Sequence, residues 1–454
     1  MTLDIGNFYL NTPMDRYEYI RVHIDKVPQE VIDQYQLTKL TDHNGYVYME
    51  VRKGMYGLPQ AGILANELLE TRLNLHGYRQ MRHTNGLWRH DTRPITFSLV
   101  VDDFGIKYVD TNDVLHLKNI LLQHYPVSED WTGSIYCGIT LTWDYSKCTV
   151  DLTMPGYVAA VLHRFQHPTP PHPEHSPHRM NPPTYGQRLP TEPASTPLDP
   201  TGIKRLQSLI GALLFYCRAI DNTLFVALSS LASAQATATN ITAKDAIRLL
   251  NYCNTHPDAV LRYVASDMIL HVHGDGSYLS EKYARSRAGA HLWLANHPNP
   301  SKEVLNNGSL LDLAALIKAV MSSAAECEFG SLFLACKAAT TIRTTLIEMG
   351  HPQPPTPVQV DNSTACSIAN KTCKQIRSKA FDMRFYWVQD RIQQGHFHVY
   401  WAPGALNLAD YHTKHHPVAH HIKMRPTYLH TATSPTHHYN TFVPLNNSSS
   451  ARVC

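Results

Sequence analysis

The sequence predicts an α/β and α+β protein of more than one domain. Three observations carry this: strand-like and helix-like segments alternate from Ile269 to Trp401, two β-rich runs flank the acidic pair Asp102-Asp103, and a proline-rich stretch from His167 to Pro200 interrupts both kinds of element. With 454 residues the chain can bury two or three cores, because single domains usually close at ~100–200 residues. Hydrophobic residues at 43% and charged residues at 17% suit a globular protein.

Met1–Leu10 reads as a strand carrying Asp4, stopped by Asn11-Thr12-Pro13. Tyr46–Val51 is a second strand, and Lys53–Gln60 leads into a helix over Ala61–Leu75, closed by Gly77. Phe97–Val101 and Phe104–Val109 form a hairpin with Asp102 and Asp103 at its tip. A helix follows over Val114–Gln123, then a strand pair within Ser134–Thr142 and Thr149–Thr153. Helical patterns return over Ile203–Leu231 and Ala243–Cys253. Beyond them come strands at Met268–His273 and Ala288–Leu294, a helix from Glu326 to Leu346, strand Val358–Val360, a helix over Phe381–Gln393 and strand His396–Trp401. After about His416 periodicity fades, and a loose tail is expected.

A net charge of +3 leaves nucleic-acid binding open, since a basic groove is a local feature. The nine cysteines form no CxxC pair, which fits a reducing compartment. The chain lacks an apolar run near ~20 residues and a signal-peptide pattern, so a cytoplasmic or nuclear protein with no membrane partner is expected.

Nucleotidyl transfer needs carboxylates that hold two Mg²⁺ ions ~3.5–4 Å apart. Asp4 on a strand and Asp102-Asp103 at a hairpin tip are suitable donors, although Asp-Asp in a turn is more often an ordinary hydrophilic turn than a catalytic pair. The surrounding residues are more specific. Leu3-Asp4-Ile5-Gly6-Asn7-Phe8-Tyr9-Leu10-Asn11 resembles the first metal-binding motif of Ty1/copia reverse transcriptases. Met55-Tyr56-Gly57-Leu58-Pro59-Gln60-Ala61 resembles their template- and nucleotide-positioning motif, and Val100-Val101-Asp102-Asp103 their second acidic motif. The resemblance implies that Asp4 and Asp102 are metal ligands and Asp103 a supporting acid. It also implies that Tyr9 gates the incoming sugar, against a reading as a core aromatic, and that Gln60 positions template or nucleotide, against a helix cap or surface amide. Only three residues precede Asp4, where the family has a fingers region, so weak or absent primer extension is expected.

A second set of acids matches in order. His273-Gly274-Asp275-Gly276-Ser277, Ser322–Phe329, Val360-Asp361-Asn362-Ser363-Thr364-Ala365 and Asn407-Leu408-Ala409-Asp410-Tyr411-His412-Thr413-Lys414 resemble the four acidic motifs of the copia RNase H domain. From position alone each acid is a cap, a solvated residue or an ion-pair partner. The resemblance makes Asp275, Glu326, Asp361 and Asp410 catalytic and metal-binding. The motif selects Glu326 over Glu328, which lies two residues on and points elsewhere on the helix. Ala380 stands where related elements carry histidine. Cys366 and Cys373 are read as ordinary thiols over metal ligands, for want of convincing partners, and His412, His415 and His416 as part of a polar tail over ligands of adventitious metal.

The implied layout is a partial reverse-transcriptase palm lacking fingers (1–111), a thumb-like region (112–165), a Pro/His-rich connector (166–202), a helical connection (203–268), an RNase H-like α/β domain (269–417) and a flexible tail (418–454). The implied function is that of a retroelement polyprotein fragment of RNA-directed DNA polymerase (nucleotidyltransferase) ancestry, with Mg²⁺-dependent endonucleolytic hydrolysis of RNA in RNA/DNA hybrids and Mn²⁺ as a substitute ion. The implied partners are the hybrid, an RNA template with DNA primer, deoxynucleotide triphosphates if polymerisation survives, and other polyprotein segments. The alternative is a catalytically inactive nucleic-acid-binding or structural relic.

Overall fold

The computed structural model describes residues 1–180, 195–281, 284–298, 304–372, 383–431 and 438–439. Ala380 and Cys373 lie outside the described residues. The chain divides into two compact units, Met1–Cys137 and Gly138–Cys454. The division falls inside the segment read as thumb-like.

The first unit contains strands β1 (Thr2–Ile5), β2 (Pro13–His23), β3 (Tyr46–Lys53), β4 (Tyr78–Gln80), β5 (Leu87–His90), β6 (Ile95–Val100), β7 (Asp103–Tyr108), β8 (Val127–Asp130) and β9 (Ile135–Tyr136). Its helices are α1 (Gln29–Tyr35), α2 (Pro59–Leu75) and α3 (Thr111–Leu122). Six strands form an antiparallel sheet in the order β4-β5-β6-β7-β1-β8. Helix α2 starts with a proline whose missing N–H costs nothing at the first turn, and it buries Ala61, Ala65, Leu69 and Leu73 at a spacing of four. That stripe and Val114, Leu117, Ile120 and Leu121 of α3 cover Leu3, Ile5, Phe97 and Phe104 of the sheet. Val100 pairs with Asp103, so the hairpin tip is Val101-Asp102 and Asp103 already belongs to β7. This shifts the expected tip by one residue.

The second unit opens with β10 (Ile139–Asp144), β11 (Thr149–Thr153) and helix α4 (Tyr157–Arg164). Helices α5 (Pro200–Ala219), α6 (Phe225–Ala234) and α7 (Asn240–Thr255) follow, then β12 (Leu261–Val264) returns to pair with β11. The helical pattern over Ile203–Leu231 resolves into α5 and α6, separated at Ile220–Leu224, where the buried Asp221 side chain accepts from Thr223 N–H at 3.1 Å. These helices share one core with Leu408, Tyr411 and Tyr428.

The remaining strands are β13 (Ile269–Glu281), β14 (Arg285–Ala295), β15 (Val304–Leu305), β16 (Ser309–Ile317), β17 (Thr356–Val360) and β18 (Phe397–Trp401), with helices α8 (Ala324–Glu348), α9 (Ser363–Ala369), α10 (Met383–Gln393) and α11 (Val418–Tyr428). Five strands form a mixed sheet in the order β16-β14-β13-β17-β18. β13, β14 and β16 are antiparallel, while β13, β17 and β18 are parallel. The parallel strand β17 is buried throughout, as expected of a strand covered on both faces. Phe329, Leu332, Ala335, Cys336 and Ala339 of α8 pack on Val272, Leu292, Val358 and Val399.

Two expectations are corrected. Strand β16 and helix α9 were not anticipated. Residues 418–431 are not a loose tail: Tyr428 Oη donates to Leu408 O at 2.6 Å, and Arg425 pairs with the buried Asp221 at 3.1 Å. Among the described residues no helix is long and apolar enough to cross a membrane.

Candidate acidic metal site

The parallel half of the mixed sheet brings the ends of β13 and β17 side by side, with Val272 opposite Val358 and His273 opposite Gln359. Asp275 lies on β13 two residues beyond that pairing, and Asp361 directly follows β17. The first turns of α8 project Glu328 into the same space. Asp275, Glu328 and Asp361 each offer a carboxylate oxygen within 4.8 Å of the others.

Each acid is held by its own partners. Thr413 Oγ1 donates to Asp275 Oδ2 at 2.7 Å, Gly276 N–H donates to Glu328 Oε2 at 2.8 Å, and the Trp401 indole donates to the Asp361 carbonyl at 2.9 Å. Glycine at 276 gives a close approach, since a Cβ there would stand 3.0 Å from the Cys327 carbonyl oxygen. A Cβ on Gly404 would meet Asp361 Oδ2 at 2.6 Å.

Burial pushes the Asp275 carboxyl up to about 6, and the charges of Asp410 and Asp361 act in the same direction against the Thr413 hydroxyl. Glu328 is raised well above the usual carboxylate range by burial and then by Asp275 and Asp361. Asp361 is raised by burial and by Asp410, with Lys414 opposing. Among the described residues Glu328 Oε1 is buried without an N–H or hydroxyl donor, and the Glu328 carboxyl hydrogen-bonds to Asp361, which requires one of the two acids to carry a proton. An acceptor so placed requires a proton or a cation. An all-oxygen donor set suits a hard divalent ion such as Mg²⁺ or Mn²⁺.

Glu326 lies outside this group of three carboxylates. Its Oε2 accepts from Ser322 N–H at 2.7 Å, and its own N–H donates to Ser323 Oγ at 3.2 Å. Glu326 thus closes the N-terminus of α8, while Glu328, two positions on, turns inward. Asp410 sits in the 3-10 turn Leu408–His412 and is paired with Lys414. It acts on Asp275 and Asp361 through its charge and is outside their 4.8 Å group. The turn is fixed to β13 by Asn407 Nδ2 donating to Gly274 O at 2.9 Å and Leu408 N–H to His273 Nδ1 at 3.0 Å. His412 and His416, read as tail residues, are buried.

In the first unit, Asp4 stands opposite Asp103 across β1 and β7, and Ile5 N–H donates to Asp102 O at 3.1 Å. Burial and the Asp4 charge raise the Asp102 carboxyl, and burial followed by Asp102 and Asp4 raises Asp103. These three acids are not among the groups with ligand atoms within 4.8 Å. Tyr9 packs edge-on against Tyr56 at 4.7 Å, and Gln60 Nε2 donates to Glu18 Oε1 at 2.8 Å.

No family profile matches the chain, and no curated protein matches it. Solved structures show distant similarity to reverse-transcriptase and RNase H folds. A foamy viral protease-reverse transcriptase in complex with an RNA/DNA hybrid is 13% identical, with a TM-score of 0.44 over 92% of this chain and 45% of that one. LC11-RNase H1, isolated from compost, is 13% identical, with a TM-score of 0.25 over 32% of this chain and 93% of that one. An N-terminal RNase H domain from Mycobacterium tuberculosis is 15% identical, with a TM-score of 0.23 over 32% and 91%. The chain thus spans less than half of the foamy viral protein.

Proposed function

We propose that the second unit hydrolyses the RNA strand of an RNA/DNA hybrid with divalent metal held by Asp275, Glu328 and Asp361, and with Asp410 as the fourth acid. The observation that carries this reading is the convergence of three carboxylates from β13, α8 and the end of β17, each with an oxygen within 4.8 Å of the others. The four ordered acidic motifs, which resemble those of Ty1/copia RNase H domains, supply the substrate class.

Bound Mg²⁺ would supply water activation and charge neutralisation at the scissile phosphate. The protein's part is positioning. Thr413 orients Asp275, Gly276 N–H holds one oxygen of Glu328 and turns the other toward Asp361, and Lys414 balances Asp410 beside the cluster. The RNA 2′-hydroxyl distinguishes the strand to be cut, and contacts to phosphate give affinity independent of sequence.

Purified protein should cleave the RNA of a hybrid in Mg²⁺, and Asp361→Asn should lower the rate at least ~10²-fold, as loss of alignment at a reacting centre does. Equal cleavage by both proteins would reject the reading. Salt-dependent hybrid binding without turnover would instead establish a catalytically inactive binding relic.

A second reading rests on the register that sets Asp4 opposite Asp103 beside Asp102. It takes the first unit as descended from an RNA-directed DNA polymerase, in which Tyr9 and Gln60 face primer, template and nucleotide. Its test is deoxynucleotide incorporation on a primed RNA template. Extension that survives in Asp102→Asn would refute it.

A further inference from the structure

Three polar residues interrupt apolar runs in separate elements of the second unit and meet at one point in its interior. They are His291 in Ala290-His291-Leu292-Trp293, Asp312 in Leu311-Asp312-Leu313, and His412 in the turn after Asp410. All three are buried, His412 completely and Asp312 to 5% exposure. Isolated charged or ring-nitrogen groups in a core are costly unless something binds them.

The partners given by the described residues are incomplete. His291 Nδ1 lies 2.6 Å from Asp312 Oδ1, and His412 Nε2 lies 3.2 Å from the same oxygen, so two rings converge on one carboxylate oxygen. Asn222 Nδ2 holds the other carboxylate oxygen, Oδ2, at 2.6 Å. Among the described residues His291 Nε2, His412 Nδ1 and Asn222 Oδ1 are buried without a hydrogen-bond partner. The rings of Trp293, Phe225 and Tyr428 wall the two imidazoles.

We propose that His291, Asp312 and His412 form a buried binding site for a transition-metal ion of the Zn²⁺ class, separate from the acidic site. Two imidazoles and one carboxylate are borderline-soft donors that suit Zn²⁺ and exclude Mg²⁺, the reverse of the all-carboxylate cluster. The three ligand atoms lie within 4.8 Å of one another. Bonds of ~2.0–2.1 Å in a tetrahedral shell place ligand atoms about 3.3 Å apart. The 3.2 Å between His412 and Asp312 fits that spacing, and the 2.6 Å between His291 and Asp312 has to open slightly. Asn222, gripping Oδ2, turns Oδ1 toward both rings in the way an outer partner orients a ligating carboxylate. The ion would tie β14 and β16 to the turn that carries Asp410 and leads to Thr413, so its role is to position that turn.

The test uses the full chain without an affinity tag, purified without chelator, then stripped and reloaded with Zn²⁺, Co²⁺ or Mg²⁺. One equivalent of zinc, a visible Co²⁺ absorption band and a rise in thermal midpoint with Zn²⁺ but not Mg²⁺ are expected. His412→Leu and Asp312→Asn should lose the zinc equivalent, while Asp361→Asn and His420→Ala should keep it. His420→Ala matters because Asp410, His416 and His420 form another group of candidate ligands. Substoichiometric zinc with no Co²⁺ band in the wild-type chain would overturn the proposal even if the variants fail to fold. Zinc lost in His420→Ala but kept in His412→Leu would overturn it as well.

Discussion

Asp275→Asn should stabilise the metal-free protein at neutral pH while removing its response to Mg²⁺. Asp275 is 5% exposed, and burial first, then Asp410 and Asp361, raises its carboxyl from 3.8 to about 6. A shift of about two units corresponds to about 3 kcal/mol at roughly 1.4 kcal/mol per unit. The folded-state value is raised, so the protonated acid is the favoured native form. Its contribution to stability is present below the unfolded value near 4 and is lost as pH rises through about 6. At pH 7.5 without metal, the wild type therefore carries a cost of about 3 kcal/mol that asparagine avoids. The amide oxygen of asparagine can still accept from Thr413.

Urea unfolding of the two proteins at pH 5.0 and 7.5, in chelator or in Mg²⁺, measures each quantity. In chelator, the advantage of the variant should grow from pH 5.0 to 7.5. Mg²⁺ at about 100 times its Kd should stabilise the wild type by about 2.7 kcal/mol at pH 7.5 and the variant far less. A difference between the proteins that does not change with pH, or equal stabilisation of both by Mg²⁺, would refute the reasoning.

Three further outcomes are expected. Glu328→Gln should abolish hybrid cleavage and Mg²⁺ binding, whereas Glu326→Ala should leave cleavage intact and, since Ser323 still caps the helix and only the bonds from Ser322 are lost, cost about 1 kcal/mol in urea unfolding; the reverse pattern would restore Glu326 to the site. Gly404→Ala places a Cβ 2.6 Å from Asp361 Oδ2, and because the carboxylate can swing away, calorimetric Mg²⁺ affinity should fall with little change in stability. Arg425→Ala leaves the buried Asp221 carboxylate unpaired and should destabilise the second unit by about 3–5 kcal/mol, read as an earlier unfolding transition.

How far the sequence reached depended on whether the deciding interactions were local. The extent of helix α2 and the β6–β7 hairpin were legible because a Gly77 stop and two β-rich runs are local signals, but the buried face of α2 was not: Leu64, Leu68 and Leu75 read as its apolar side, whereas Ala61, Ala65, Leu69 and Leu73 are buried and Leu75 is 78% exposed. Residues 418–431 were not, because Pro426 sits inside α11 and the segment's stability comes from Arg425 and Tyr428 reaching partners about 200 and 20 residues away. Strand β16 was hidden for a similar reason: Asp312 breaks its apolar run, and the partners that explain Asp312 lie on β14, before α6 and after β18.

The choice between Glu326 and Glu328 is the instructive case. Ser323 followed three residues later by Glu326 is itself a helix-start pattern, and a glutamate committed to its own helix terminus is a poor candidate for a distant cluster. Glu328 lies between Cys327 and Phe329, both buried, so its neighbours place that turn of α8 against the sheet. Local capping chemistry thus contained the evidence against Glu326. Only the phase of α8 over β13 could show that Glu328 meets Asp275 and Asp361.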